Sequence, residues 1–292
     1  MSYGPNPWQQ LHWDARAAGN FIGGGAGSGL IVATALAGVQ GAARTGLLLA
    51  GLALVGLGLT CVWLEIGRPL RALNVVLNPR TSWMSREALA GMALFPVAGA
   101  SALVWPGALW LAALLALVFL YCQSRMLRAA RGIPAWREPL TSPLIVATGL
   151  TEGLGLLVAT LPLHGAVTPG MLALLSALLM VRIALWFIYR NRLGGQTAAR
   201  ATQALDGAGR WLQAAGTAAP LVLLPAVLTI PLPPALVAAA ALLAGLLAWA
   251  AGAWMKYVLI TRAAFNQGFA LTRLPVRGVR RGQALPRRDD HG

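Results

Sequence analysis

Charge is scarce in this chain. Of 292 residues, 11% are Asp, Glu, Lys or Arg and 58% are hydrophobic, with a mean hydropathy of +0.67. Soluble domains carry about 25% charged residues, so an ordinary globular enzyme is excluded, and a disordered chain more firmly still. Histidine and cysteine are nearly as rare, at three and two residues. His12, His164 and His291 lie outside the apolar runs, so the facing axial ligands of a membrane haem are missing. Cys61 and Cys122 are far apart, with no CxxC spacing. That excludes a zinc site or iron–sulfur cluster within this chain and leaves both as small packing residues. No P-loop, Ser–His–Asp set or metal-spaced cluster is present. No secretory signal is visible either: Gly4, Pro5, Asn6, Pro7 and Trp8 precede the first apolar run, which is expected to stay in place as a membrane helix.

What remains is long apolar sequence. A helix needs about 20 apolar residues to cross the hydrocarbon of a bilayer. Eight runs qualify, at residues 20–39, 46–66, 88–105, 108–126, 142–161, 171–189, 211–230 and 235–257. Ala and Leu dominate them and no alternation is sustained, so the expectation is an all-α integral membrane protein of eight helices. Residues 1–19 form a leading segment, 20–257 the membrane domain and 258–292 a basic tail.

The formal charge of +15 comes from 23 Lys and Arg against 8 Asp and Glu. Nucleic acid is not the reading, because the cations alternate between connections. One set holds Arg68, Arg71, Arg80 and Arg86, then Arg125, Arg128, Arg131 and Arg137, then Arg190, Arg192, Arg200 and Arg210, and the tail adds more. The opposite set has Arg44 and short turns. By the positive-inside rule the Arg-rich side is cytoplasmic, and eight crossings put both termini there. The first run carries Gly23, Gly24, Gly25, Gly27 and Gly29, the second Gly51, Gly56 and Gly58, the fifth Gly149, Gly153 and Gly155. Small residues let helix backbones approach closely in lipid, and no strand precedes the first cluster to make it a dinucleotide fingerprint.

Ionisable groups inside or beside a membrane are costly and often functional. Glu65 sits at the end of the second run, ahead of Ile66-Gly67-Arg68-Pro69-Leu70-Arg71. Either it closes a helix-end salt bridge or it exchanges protons with a ligand at the membrane rim. Glu152 lies about 15 Å into the fifth run and Arg182 about 12 Å from the end of the sixth, at 1.5 Å per residue. The pair reads as a structural ion pair or as part of a proton relay, while Lys256, near an end, is expected to snorkel. Ser85 is the expected cap of the third helix, with Glu87 in its first turn. Trp83 reads as an interfacial anchor or as the wall of a quinone-sized slot.

The stretch Glu65 to Asn74, followed by Asn78-Pro79-Arg80-Thr81-Ser82-Trp83-Met84-Ser85-Arg86-Glu87, resembles the membrane anchors of DMSO-reductase-type molybdoenzymes, within the wider NrfD/polysulfide-reductase-like group. The resemblance implies a subunit with no redox metal of its own. It implies a ferredoxin-like iron–sulfur subunit and a molybdenum or tungsten bis-pterin catalytic subunit as partners, and membrane quinone (ubiquinone or menaquinone) as substrate. A His-Leu-Gly-x-Pro-x-Arg motif of such anchors is associated with quinol. Glu65 replaces its His, while Gly67, Pro69 and Arg71 match. Glu65 and Arg71 are therefore the expected reactive residues, with Gly67, Arg68, Trp83 and Asp14 around the quinone. The segments Gly4 to Gln10 and Trp13 to Asn20, with Ala264 to Ala270, look like the anchor of phenylacetyl-CoA:acceptor oxidoreductases. That implies acyl-CoA oxidation by the catalytic partner. A secondary transporter built around Glu152 and Arg182, or a passive tether, are the rival readings.

Overall fold

The computed structural model describes residues 6–65, 74–164 and 168–268. It is all-helical: α1 (Ala15–Leu36), α2 (Gly41–Glu65), α3 (Trp83–Leu103), α4 (Leu109–Ala129), the short α5 (Pro134–Arg137), α6 (Thr141–His164), α7 (Pro169–Leu193), α8 (Ala199–Gln213), α9 (Ala219–Thr229) and α10 (Pro234–Tyr257). Among the described residues, six helical stretches are long and apolar enough to cross a membrane: α1, α2, α4, α6, α7 and α10. The other two expected crossings fall on α3 and on the stretch from the last residues of α8 through the π turn at Ala214–Ala218 and α9. α3 takes in Arg86 and Glu87 at its start and Pro96 within it. α8 is polar on one face, burying Ala201, Leu205, Ala208 and Leu212 on the other, and runs on into α9 through a π turn at Ala214–Ala218.

Local chemistry sets these boundaries. Asp14 caps α1 by accepting from the Arg16 N–H at 2.7 Å. The α1–α2 turn uses Gly38 and Gly41, both at φ 63°, a conformation that a Cβ disfavours. Ser82, not Ser85, caps α3, accepting from the Ser85 N–H at 3.3 Å. The helix therefore starts a turn earlier than its apolar run. The π turn has its own cause. Pro220 has no N–H to give the Gly216 carbonyl four residues back, so the α ladder fails there.

α1 is the axis of the bundle and packs against α2, α4, α6 and α10. Its glycines are where other backbones cross. A Cβ on Gly27 would meet the Gly51 carbonyl and Val55 of α2, and one on Gly29 would meet Gly149 and Gly153 of α6. Gly155 of α6 meets Gly245 of α10 in the same way. The glycine stripes are thus packing surfaces, as expected.

The two ends of the chain meet. Gln9 and Phe265 form an antiparallel bridge, with Gln10 N–H donating to the Ala264 carbonyl at 2.9 Å and Asn266 N–H to the Trp8 carbonyl at 3.1 Å. Arg137 ties the α5 turn to this pairing through Gln267 at 2.6 Å. The two described ends of the chain therefore share one face of the bundle, and the number of crossings between them is even. Beneath them lies an aromatic layer in which Trp136 donates to the Leu259 carbonyl and Tyr189 to the Ala135 carbonyl.

Candidate functional site

At the terminus-bearing end, α1, α2, α3 and α4 enclose a cavity of about 230 Å³. Its wall includes Trp13, Asn20, Phe21, Glu65, Met84 and Glu87. Glu65 enters because α2 ends there, beside the start of α1, where Arg16 donates to the Leu64 carbonyl at 3.1 Å. Glu87 enters from the first turns of α3 and is 4% exposed. Its Oε1 accepts from Asn20 Nδ2 at 3.1 Å and from Gln123 Nε2 at 3.2 Å. Gln123 also donates to the Asn20 carbonyl at 2.9 Å. Asn20 Oδ1 is buried without a partner on this wall, an acceptor that a bound group can satisfy. Two carboxylates and an amide thus converge on one apolar slot at the membrane rim.

The expected site residues divide. Glu65 lines the cavity; Gly67, Arg68 and Arg71 lie outside the described residues. Asp14 is the α1 cap and pairs with Arg16 at 2.9 Å, which holds its carboxyl below the usual carboxylate range. It does not line the cavity. Trp83 faces elsewhere, with the Arg86 and Arg125 guanidiniums 4.2 and 4.6 Å from its ring.

Glu152 and Arg182 are fully buried, as their depth implied, but they are not each other's partners. Glu152 pairs with Lys256 at 2.6 Å, and Lys256 is itself fully buried and donates to the Phe21 carbonyl at 2.6 Å. The snorkelling expectation fails because the ammonium has a carboxylate and a carbonyl inside the bundle. Arg182 instead donates to the Ala248 carbonyl at 2.8 Å and to the Gly216 carbonyl at 2.5 Å. It occupies the acceptor that Pro220 leaves open. Phe21 and Asn20 are neighbours on α1, so Lys256 and Gln123 grip adjacent carbonyls of the cavity wall.

Sequence reasoning missed Glu87, Asn20, Gln123 and the partner of Glu152. Glu87 reads in the sequence only as a first-turn carboxylate, and the neutral amides of Asn20 and Gln123 carry no charge to mark them. Lys256 did leave a signal: it is the single lysine of a chain whose other cations are arginine.

The family model of the DMSO reductase anchor subunit (DmsC) matches residues 19–259. The chain belongs to the DMSO reductase anchor subunit family. The match takes in Asn20 and Phe21 of the cavity wall on α1 and runs into the π turn after α10. No curated protein matches the chain. Membership makes the chain a membrane subunit of a DMSO-reductase-type oxidoreductase complex, whose anchors partner catalytic and iron–sulfur subunits.

Proposed function

We propose that the chain is the membrane anchor and quinone-reducing subunit of a molybdenum or tungsten bis-pterin oxidoreductase. Electrons come from a ferredoxin-like iron–sulfur subunit and go to membrane quinone. The observation that carries this reading is the cavity between Glu65 and Glu87. Its volume is below the roughly 300–1,000 Å³ of whole-ligand sites, which suits a ring headgroup whose isoprenoid tail stays in lipid. Reduction of a quinone takes two electrons and two protons. In this reading the iron–sulfur subunit supplies the electrons, while the Glu65 and Glu87 carboxyls deliver protons to the two ring oxygens and recharge from the Arg-rich side. Asn20 and Gln123 fix the Glu87 carboxylate. Gly67 and Arg71, which match the quinol-associated motif that Glu65 opens, are proposed to bind the quinone with it.

The finer assignments go with it. In this reading there are eight crossings, counting α3 and the stretch 211–230 through α9, an even number that keeps the paired chain ends on one side. The positive-inside rule then places both ends on the cytoplasmic side of a bacterial inner membrane. Acyl-CoA thioesters are found on that side, which favours phenylacetyl-CoA or a similar acyl-CoA as the substrate of the catalytic partner. The test is quinone turnover by membranes carrying Glu65→Gln or Glu87→Gln. Loss of a positioned acid or base costs about a hundredfold or more, so turnover is expected to fall that far while the complex still assembles. Normal turnover by both variants would make the chain a passive tether.

A further inference from the structure

We infer that the chain holds an anionic phospholipid headgroup in a second cavity, distinct from the Glu65 cavity and independent of the quinone reading. It lies where α3 begins and α4 ends, has a volume of about 620 Å³, and is lined by Thr81, Trp83, Arg125, Arg128, Arg131 and Arg137. Four arginines line one space whose wall contains no carboxylate. Among the described residues none of the four is ion-paired. Such a cluster repels itself unless an anion fills it.

Two of the arginines are held in place. Arg137 donates to the Arg131 carbonyl at 3.2 Å and to Gln267 at 2.6 Å. Arg125 donates to the Tyr121 hydroxyl at 2.7 Å and stacks on Trp83, while its Nε, shielded from solvent, has no partner. That is a donor set built for phosphate oxygens.

The α4 surface names the source of the phosphate. Leu114, Val118 and Tyr121 are 56%, 42% and 45% exposed and recur at helical spacing down to Arg125. An apolar stripe that faces lipid therefore ends in the arginine cavity. An acyl chain lies along the stripe with its phosphate among the guanidiniums. A protein partner docking from the aqueous side would have no use for that stripe. Basic pockets between membrane helices on the cytoplasmic side suit such headgroups, and each Arg near an anionic surface is worth about fivefold in binding.

The test uses the full chain, purified in mild detergent with whatever subunits accompany it and placed in phosphatidylcholine nanodiscs. Phosphatidylglycerol is titrated in and the melting temperature read, with native mass spectrometry counting bound lipid. Wild type is expected to gain melting temperature and retain phosphatidylglycerol. Inorganic phosphate at the same concentration is expected to do nothing. Arg125→Gln/Arg128→Gln is expected to need roughly thirtyfold more phosphatidylglycerol, and Arg128→Gln alone about fivefold more, which covers the case of a double variant that fails to fold. Unchanged titrations would overturn the inference. So would a shift reproduced by inorganic phosphate, which means a free-anion site. Loss of a co-purifying protein with lipid binding intact would also overturn it, because the cavity would then belong to a protein interface.

Discussion

Replacing Lys256 with methionine leaves the Glu152 carboxylate buried with its closest cation gone. In the intact protein, Lys256 Nζ lies 2.6 Å from Glu152 Oε2 and 2.6 Å from the Phe21 carbonyl, and both side chains are fully buried. Glu152 Oε1 already lacks a partner. Removing one member of a buried pair costs about 3–5 kcal/mol, whereas replacing both by apolar groups of similar size is often neutral. Lys256→Met and Glu152→Met are each expected to lose about that much, and the double variant no more than either single one. The double variant still loses the bond to Phe21, worth about 1.5–3 kcal/mol for a charged donor. The assay is a double-mutant cycle on unfolding free energies in mixed micelles, which isolates the pairwise coupling. Single variants within about 1 kcal/mol of wild type, or effects that simply add, would refute the claim that this pair is an uncompensated buried contact once broken.

Other consequences can be measured alongside. Arg182→Met strips two carbonyls of their charged donor and is expected to cost about 3 kcal/mol or more, read as a lowered melting temperature. A loss confined to about 0.5 kcal/mol would mean that the Gly216 carbonyl does not depend on it. Gly153→Ala puts a methyl group into the Gly29 backbone of α1. Overpacking typically costs about 1–3 kcal/mol, whereas Gly99→Ala, where a Cβ meets nothing within 4 Å, is expected to be silent in the same melting assay. Asp206 is held below its ordinary value of 3.8 by the Arg190 hydrogen bond at 2.6 Å. A depressed carboxyl stabilises the fold above its ordinary value, and that contribution disappears as pH falls through the lower folded value. Asp206 is 43% exposed, so Asp206→Asn is expected to cost about 0.2–1 kcal/mol at neutral pH and nothing in strong acid. A gap in melting temperature that persists in strong acid would contradict the ion-pair account.

The helices were legible because length and apolarity alone specify a membrane helix. The glycine stripes likewise announced where backbones cross. The breaks were harder. The π turn at Ala214–Ala218 follows from Pro220 acting on a carbonyl four residues away and is invisible to any window of hydrophobicity. The partner of Glu152 could not be read from depth, since Lys256 lies at the end of its apolar run and only the packing of α10 against α6 brings its ammonium to the carboxylate. The cavity was half legible. Glu65 stood out as a carboxylate at a helix end, while Glu87 looked like an ordinary first-turn acid until Asn20 and Gln123 were seen to grip it.

A photoreactive quinone analogue, crosslinked to the purified complex and mapped by peptide mass spectrometry, tests the functional account most directly. Labels on residues 17–21, 62–65 and 84–87, competed away by native quinone and lost in Glu87→Gln, are the predicted result. Competed labelling instead at the apolar groove between Trp110, Leu114 and Leu174 at the far end of the bundle, or no competed label on this chain, would contradict it.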